Sequence, residues 1–148
     1  MTLMDVLDKN LIQVPLKHST KDEIIAELVD LLVAHRPALD RDGILKAVID
    51  RERMGSTGLA DGIAIPHAKT AAIDRVSVAI GISKVPVDFR AQDGKPSQFF
   101  FLVLAPEKES AAYIEILASI ARATASPIFR RLLSSARSAD EVVRLFLD

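Results

Sequence analysis

Apolar residues along this chain fall into blocks of helical and of strand period, and the order of the blocks limits the architecture. Leu11-Ile12-Gln13-Val14 reads as a short extended segment stopped by Pro15. Thr20-Lys21-Asp22-Glu23 has the form of a capping box, with the Thr20 oxygen expected to accept from the third helical amide. Ile24, Ile25, Leu28, Leu31 and Leu32 then share one face of a helix that should end before Pro37. Asp40 opens a second helix, with Ile44, Leu45, Val48 and Ile49 inward, running into Arg51-Glu52-Arg53.

A segment of different character follows. Gly55-Ser56-Thr57-Gly58 and Asp61-Gly62 are turn signals, and Ile63-Ala64-Ile65 is a strand-like tripeptide closed by Pro66. The alternation in Val76–Ile82 predicts a strand. Phe99–Leu104 is a continuous apolar run of strand length, as a central strand covered on both faces requires. Pro86 and Asp93-Gly94 mark the loop between these two strands. After Pro106 a third helix should turn Ile114, Leu117, Ala118 and Ala121 inward, and Pro127 should separate it from a fourth over 128–133. Ser138-Ala139-Asp140-Glu141 is a second capping box, opening a last helix with Val142, Val143 and Leu145 inward. The expected fold is α/β: a single domain over residues 1–148, with a mixed sheet flanked by helices on both sides.

Composition narrows the function classes. The chain has 148 residues, 49% hydrophobic and 26% charged, which is enough for a core without a disulfide or metal staple. The absence of cysteine removes thiol chemistry and thiolate metal sites, and suits a reducing cytosol. The net charge is −1 with the signs interspersed, so no basic patch points to nucleic acid or a membrane surface. No segment is apolar enough to span a bilayer, and Met1-Thr2-Leu3-Met4-Asp5 does not read as a signal peptide. The expectation is a cytoplasmic protein with no membrane insertion, no metal and no cofactor.

Histidine is scarce: His18, His35 and His67. His18 precedes a helix cap and His35 lies in a last helical turn, where a histidine can bond free carbonyls and suits the dipole. His67 differs. Pro66 fixes the backbone angle before it, and glycines 55, 58 and 62 precede it. Amides of such a turn can form an anion nest, with hydroxyls from Ser56 and Thr57 and a guanidinium from Arg51 or Arg53 as further donors. That is the environment of a phosphorylated imidazole, although on these features alone a loop histidine fits as well. The glycines match no phosphate-loop or dinucleotide fingerprint, and Gly55-Ser56-Thr57-Gly58 lacks the spacing of a hydrolase nucleophile.

The run Arg51-Glu52-Arg53-Met54-Gly55-Ser56-Thr57-Gly58-Leu59-Ala60-Asp61-Gly62-Ile63-Ala64-Ile65-Pro66-His67 resembles the active-site signature of the IIA proteins of the bacterial phosphoenolpyruvate-dependent phosphotransferase system. The class is the fructose–mannitol type, which includes the stand-alone nitrogen-regulatory IIA proteins. The resemblance implies a mixed sheet flanked by helices, a phosphoryl group accepted on His67, and a phosphoryl site that includes Arg51, Ser56, Thr57, Gly58 and Lys69. It implies the outer ring nitrogen, Nε2, as the acceptor. It also implies the small carrier HPr or its nitrogen-branch paralogue as donor, with a IIB domain, or a regulated kinase, transporter or transcription factor, as a further partner. The family usually has a second histidine in a His-Leu-x-x-Leu pattern early in the late helix. Here the segment is Tyr113-Ile114-Glu115-Ile116-Leu117, so Tyr113 stands in for a group that can become cationic. Ala68 stands where a glycine is common. Met54, Leu59 and Ile63 are candidates for an apolar docking face, with Ile63 leaning toward the core. The absence of a fused transport domain favours a regulatory protein over a dedicated sugar-uptake component. A binding module acting independently of phosphorylation is a further alternative.

Overall fold

The computed structural model describes residues 1–147. A short helix α1 (Leu3–Val6) and a 3-10 turn (Lys9–Leu11) lead into β1 (Ile12–Gln13), α2 (Lys21–His35) and α3 (Arg41–Arg53). Then come β2 (Ile63–Ala64), β3 (His67–Lys69), β4 (Ser77–Val87) and β5 (Ser97–Ala105). The chain closes with α4 (Ser110–Thr124), α5 (Pro127–Ser134) and α6 (Ala139–Leu147). The sheet is mixed, in the order β1-β4-β5-β2: β4 and β5 are antiparallel, while β1, β2 and β3 run parallel to their neighbours. This is the expected α/β architecture.

Strand β5 carries the molecule's two cores. Phe99, Phe101, Val103 and Ala105 face α1, α4, α5 and α6, where Leu3, Ile116, Ile120, Leu133 and Val142 are buried. Phe100, Leu102 and Leu104 face α2 and α3, against Ile24, Ile25, Leu28, Leu32, Ile44 and Val48. Both faces are sealed, which explains why residues 99–104 read as a continuous apolar run. Among the described residues no helix is long and apolar enough to cross a membrane.

Four sequence expectations change. Thr20 makes no cap bond to a helical amide; its hydroxyl donates to Glu23 Oε1 at 2.6 Å instead. Strand β4 runs on through Pro86, because the register slips between Ile82 and Val87 and the proline sits exposed on the irregular stretch, where no ladder N–H is needed. In α4 the inward residues are Tyr113, Ile116, Ile120 and Thr124, whereas Ile114 is 64% exposed. Of the stripe read from the sequence, Leu117 packs partly against the core, while Ile114 and Ala121 point outward. Finally, His67 is the first residue of a strand, not a loop residue. By contrast Asp40 caps α3 as expected, accepting from the Gly43 amide at 3.1 Å, and Ser138 accepts from Glu141 N–H at 3.2 Å.

Candidate functional site

His67 is placed by one interrupted edge strand. Ile63 pairs with Phe99, Ala64 with Phe100 and His67 with Val103, so β2 and β3 follow β5 in the same register. Pro66, which has no N–H, falls in the gap, and its carbonyl accepts from Val103 N–H at 3.0 Å. Strand alternation then sends Ala68 into the α2–α3 core and His67 to the opposite face, beside α4. The His67 Nδ1 lies 2.6 Å from the Ile65 carbonyl oxygen. A carbonyl only accepts, so Nδ1 carries the proton and Nε2 keeps its lone pair. Burial holds the imidazole below its ordinary pKa; the Ile65 bond opposes this, Arg51 adds to it, and Glu52 opposes it. The ring is therefore neutral at neutral pH, with one nitrogen free to act as a nucleophile.

The loop between α3 and β2 folds back on itself. Leu59 N–H donates to Ile63 O at 2.8 Å and Ile65 N–H to Thr57 O at 3.0 Å, and Gly62, with φ of +79°, supports the reversal. Gly58 is needed for a different reason: a Cβ there would lie 2.9 Å from Ala91 Cα and 3.1 Å from Phe89 O. The loop is pinned from beneath by Glu52, which is 7% exposed. Its carboxylate accepts from the Thr57 amide at 3.2 Å and from the Thr57 hydroxyl, and pairs with Lys21 Nζ at 2.8 Å. Lys21 also lies 4.7 Å over the Phe89 ring. Ser56 Oγ donates to Phe89 O at 2.7 Å and accepts from Gly58 N–H at 3.0 Å. The hydroxyls of Ser56 and Thr57, and the amides of Thr57 and Gly58, are thus engaged within the loop and by Glu52 and Phe89.

A cleft of about 260 Å³ opens over the ring, lined by Arg51, Ser56, Thr57, Leu59, Ile65, His67, Gln92, Leu117 and Ala121. One Arg51 guanidinium nitrogen donates to Gly55 O at 2.9 Å, which holds the cation at the cleft. The Tyr113 ring stands 5.8 Å from the imidazole, tilted by 54°. Burial pushes its hydroxyl pKa up to about 12, with Arg51 opposing, so it is a neutral donor at any ordinary pH. Lys69 is on the same strand as His67, and its ammonium donates to Ser110 Oγ at 3.1 Å at the start of α4. The cleft thus joins His67, Arg51, Ser56 and Thr57, Tyr113 flanks it, and Gly58 and Lys69 lie behind and beyond it. Met54 is 84% exposed, while Ile63, at 5%, belongs to the core. His18 bonds Glu27 at 2.9 Å and His35 faces Asp8 at 3.4 Å, both away from the cleft lining.

Sequence reasoning did not single out Lys21, Glu52 or Gln92. Gln92 arrives from the loop after Phe89, where its N–H donates to Gly58 O at 3.0 Å. Nothing in local periodicity marks it. A charged residue at 52, on the helical face that carries Ile44 and Val48, was the available signal for Glu52.

A family model described as "Phosphoenolpyruvate-dependent sugar phosphotransferase system, EIIA 2" matches residues 5–148. The chain belongs to this family. EIIA proteins carry a phosphoryl group on a histidine, and this chain is a phosphoryl-carrier protein of that kind. It is 36% identical over 124 residues to a fructose-specific EIIA component of Haloferax volcanii, covering 84% of this chain and 80% of the relative. It is 31% identical over 140 residues to a nitrogen regulatory protein of Pseudomonas aeruginosa, covering 95% and 90%. It is 32% identical over 143 residues to the fructose-specific EIIABC component of Bacillus subtilis, covering 97% of this chain but only 22% of that longer protein. Among solved structures, the nitrogen regulatory protein IIA-Ntr of Neisseria meningitidis superposes with a TM-score of 0.89 at 28% identity, covering 97% of this chain and 98% of that one. The fold, at 22% identity and a TM-score of 0.82, is also that of Escherichia coli enzyme IIAMTL in its complex with phosphorylated enzyme IIBMTL, with 99% of each chain covered.

Proposed function

We propose that His67 is the phosphoryl acceptor of this EIIA protein, that an HPr-like carrier is its donor in the cytoplasm, and that residues 1–148 act as one EIIA type-2 domain with a regulatory role. The observation that carries the acceptor assignment is the ring itself: Nδ1–H is held by Ile65 O, and Nε2 is left bare beside the cleft. The transfer is an in-line displacement. The Nε2 lone pair forms a bond to phosphorus as the bond from phosphorus to the donor's nitrogen breaks, and the donor imidazole recovers its electron pair. As the His67 ring gains positive character, the proton stays on Nδ1, and the Ile65 carbonyl that accepts its hydrogen bond stabilises the charge. Arg51 neutralises the phosphoryl oxygens, and Gln92 and the Tyr113 hydroxyl are neutral donors near the same oxygens. Ser56, Thr57 and Gly58 shape the cleft floor, and Lys69 contributes positive charge from two residues further along the strand. Exposed Met54 and Ile114, with Leu59 and Leu117 at the cleft, form the apolar docking rim.

The regulatory role rests on similarity to nitrogen regulatory proteins across nearly the whole chain. A sugar-uptake role is the second reading, favoured by the fructose-specific relatives, and a IIB domain would then be the next acceptor. Incubation with phosphoenolpyruvate, the general phosphotransferase enzyme and an HPr-like carrier is expected to give stoichiometric, acid-labile labelling. Absence of label overturns the acceptor assignment. Onward transfer of that label to a fructose-type IIB domain within seconds would select the second reading.

Two further outcomes follow from the site. Because burial holds His67 below its ordinary pKa, the reactive neutral form persists as pH falls. The rate of phosphoryl acceptance should be flat from pH 8 through about 6.5, the unperturbed histidine value, and decline only below it. A stopped-flow profile with its midpoint above that value contradicts the assigned ring environment. Tyr113 offers an incoming phosphoryl group a neutral hydroxyl at the position where the resemblance puts a histidine. A charge-assisted bond exceeds a neutral one by about 1 kcal/mol, so Tyr113→His should speed acceptance roughly fivefold at pH 6.5. An unchanged rate would mean that Tyr113 does not limit the transfer.

A further inference from the structure

Lys21 and Glu52 have no part in the chemistry above, yet they are the costliest polar groups near it. The Glu52 side chain is 4% exposed and the Lys21 side chain 20%. Burying an ion pair sacrifices the hydration of both charges, and well-packed apolar residues of similar volume commonly serve stability as well or better. The pair's position suggests what it does instead. Lys21 Nζ meets Glu52 Oε2 at 2.8 Å and reaches Ser56 Oγ at 3.4 Å and Phe89 O at 3.5 Å. Glu52 accepts from both the amide and the hydroxyl of Thr57. The Thr57 carbonyl accepts from Ile65 N–H at 3.0 Å, and the Ile65 carbonyl accepts from His67 Nδ1 at 2.6 Å. An unbroken series of polar contacts therefore runs from the first residue of α2, through the last turn of α3 and the folded-back loop, to the imidazole.

We propose that the Lys21–Glu52 pair is a positioning device that fixes the ring orientation and tautomer of His67 through Thr57 and Ile65. This rests on the assignment of His67 as the reacting group. Glu52 holds Thr57 by two bonds, and the Thr57 carbonyl anchors Ile65 through its N–H, which limits how far Ile65 can swing its own carbonyl away from His67 Nδ1. Lys21 keeps the carboxylate charged and seated. It also ties the Phe89 carbonyl and Ser56, and with them the cleft floor, to the same point. Without the pair, the Ile65 carbonyl loses its fixed aim, the imidazole samples both tautomers, and Nε2 faces the incoming phosphorus for only part of the time.

The test uses full-length protein labelled with ¹⁵N in the imidazole rings. In the wild type, NMR should show His67 with Nδ1 protonated and Nε2 bare. The double variant Lys21→Met/Glu52→Leu removes both charges together, so no unpaired buried charge is left to unfold the chain. It is expected to keep its circular dichroism and to show a mixed His67 tautomer. Phosphoryl acceptance from the carrier should slow roughly tenfold to a hundredfold, with the loss in kcat and not in KM, because the docking rim is untouched. Lys21→Arg, which keeps the charge, should restore the single tautomer and most of the rate. A double variant with wild-type tautomer and wild-type rate overturns the proposal and makes the pair purely structural. If the double variant fails to fold, Lys21→Met/Glu52→Gln, which also removes both charges and keeps the side-chain shape at 52, takes its place, with the same supporting and overturning results. Missing label on the wild-type protein overturns the acceptor assignment, whereas an unchanged tautomer in the variants overturns the positioning role whatever the labelling.

Discussion

Replacing His67 with alanine is expected to abolish phosphoryl acceptance while leaving the fold intact. The reacting atom disappears, and no neighbour can substitute. Of the other histidines, His18 is bonded to Glu27 and His35 faces Asp8, and neither lines the cleft. Loss of a nucleophile without a replacement costs about a thousandfold or more, so labelling from phosphoenolpyruvate through the carrier should fall to background. The ring's main polar bond is local, to Ile65, and the neighbouring core is built from other side chains. The unfolding free energy should therefore change by less than about 1 kcal/mol. Tyr113→Phe is the companion control: it removes one neutral donor and should remain fully labelled at end point. Persistent label on His67→Ala would place the acceptor elsewhere.

Phe100→Ala is expected to be the most destabilising single truncation near the site. Phe100 is fully buried on β5 against the α2–α3 layer, and its ring meets Phe89 at 5.3 Å and 51°. Truncating a buried phenylalanine costs about 3–5 kcal/mol through lost burial and the cavity left behind. Phe89 also carries the Lys21 ammonium on its ring and accepts the Ser56 hydroxyl on its carbonyl, so the cavity opens directly beneath the cleft floor. Urea unfolding should show the midpoint falling with the slope unchanged, and phosphoryl acceptance should weaken at temperatures where the variant is still folded. Ile128→Ala is the contrast. Ile128 is 66% exposed, and its truncation should stay within about 0.5 kcal/mol. Equal effects at the two positions would contradict the burial pattern.

Much of the layout was legible because burial leaves a periodic trace. Ile24, Ile25, Leu28 and Leu32 recur at helical spacing and are buried in α2, and residues 99–104 are apolar without interruption because both faces of β5 are covered. Helix α4 misled for a physical reason. It carries apolar residues on two sides, Tyr113, Ile116 and Ile120 toward the core and Ile114, Leu117 and Ala121 toward the cleft and solvent. Periodicity reports that a stripe exists but not which stripe faces inward. Pro86 misled because a proline stops a regular strand but not one whose pairing slips. β3 was hidden because Pro66 interrupts the strand at the one point where its partner, Val103, needs only a carbonyl.

The sequence by itself determined the segments, the two-faced central strand and the identity of the candidate acceptor, because local spacing and the run from Arg51 to His67 are properties of neighbours along the chain. Only the tertiary structure decided the state of that acceptor. The tautomer of His67 depends on the aim of one carbonyl, Ile65 O, and that aim is traced through Thr57 and Glu52 to a lysine on another helix. The meeting of Arg51, Gln92 and Leu117 at one cleft, with Tyr113 beside the His67 ring, likewise comes from packing α3, α4 and the loop after Phe89 around the edge of the sheet. Groups distant in sequence leave no mutual signal in spacing or composition, since their juxtaposition is set by the closing of the core and not by the propensity of any segment.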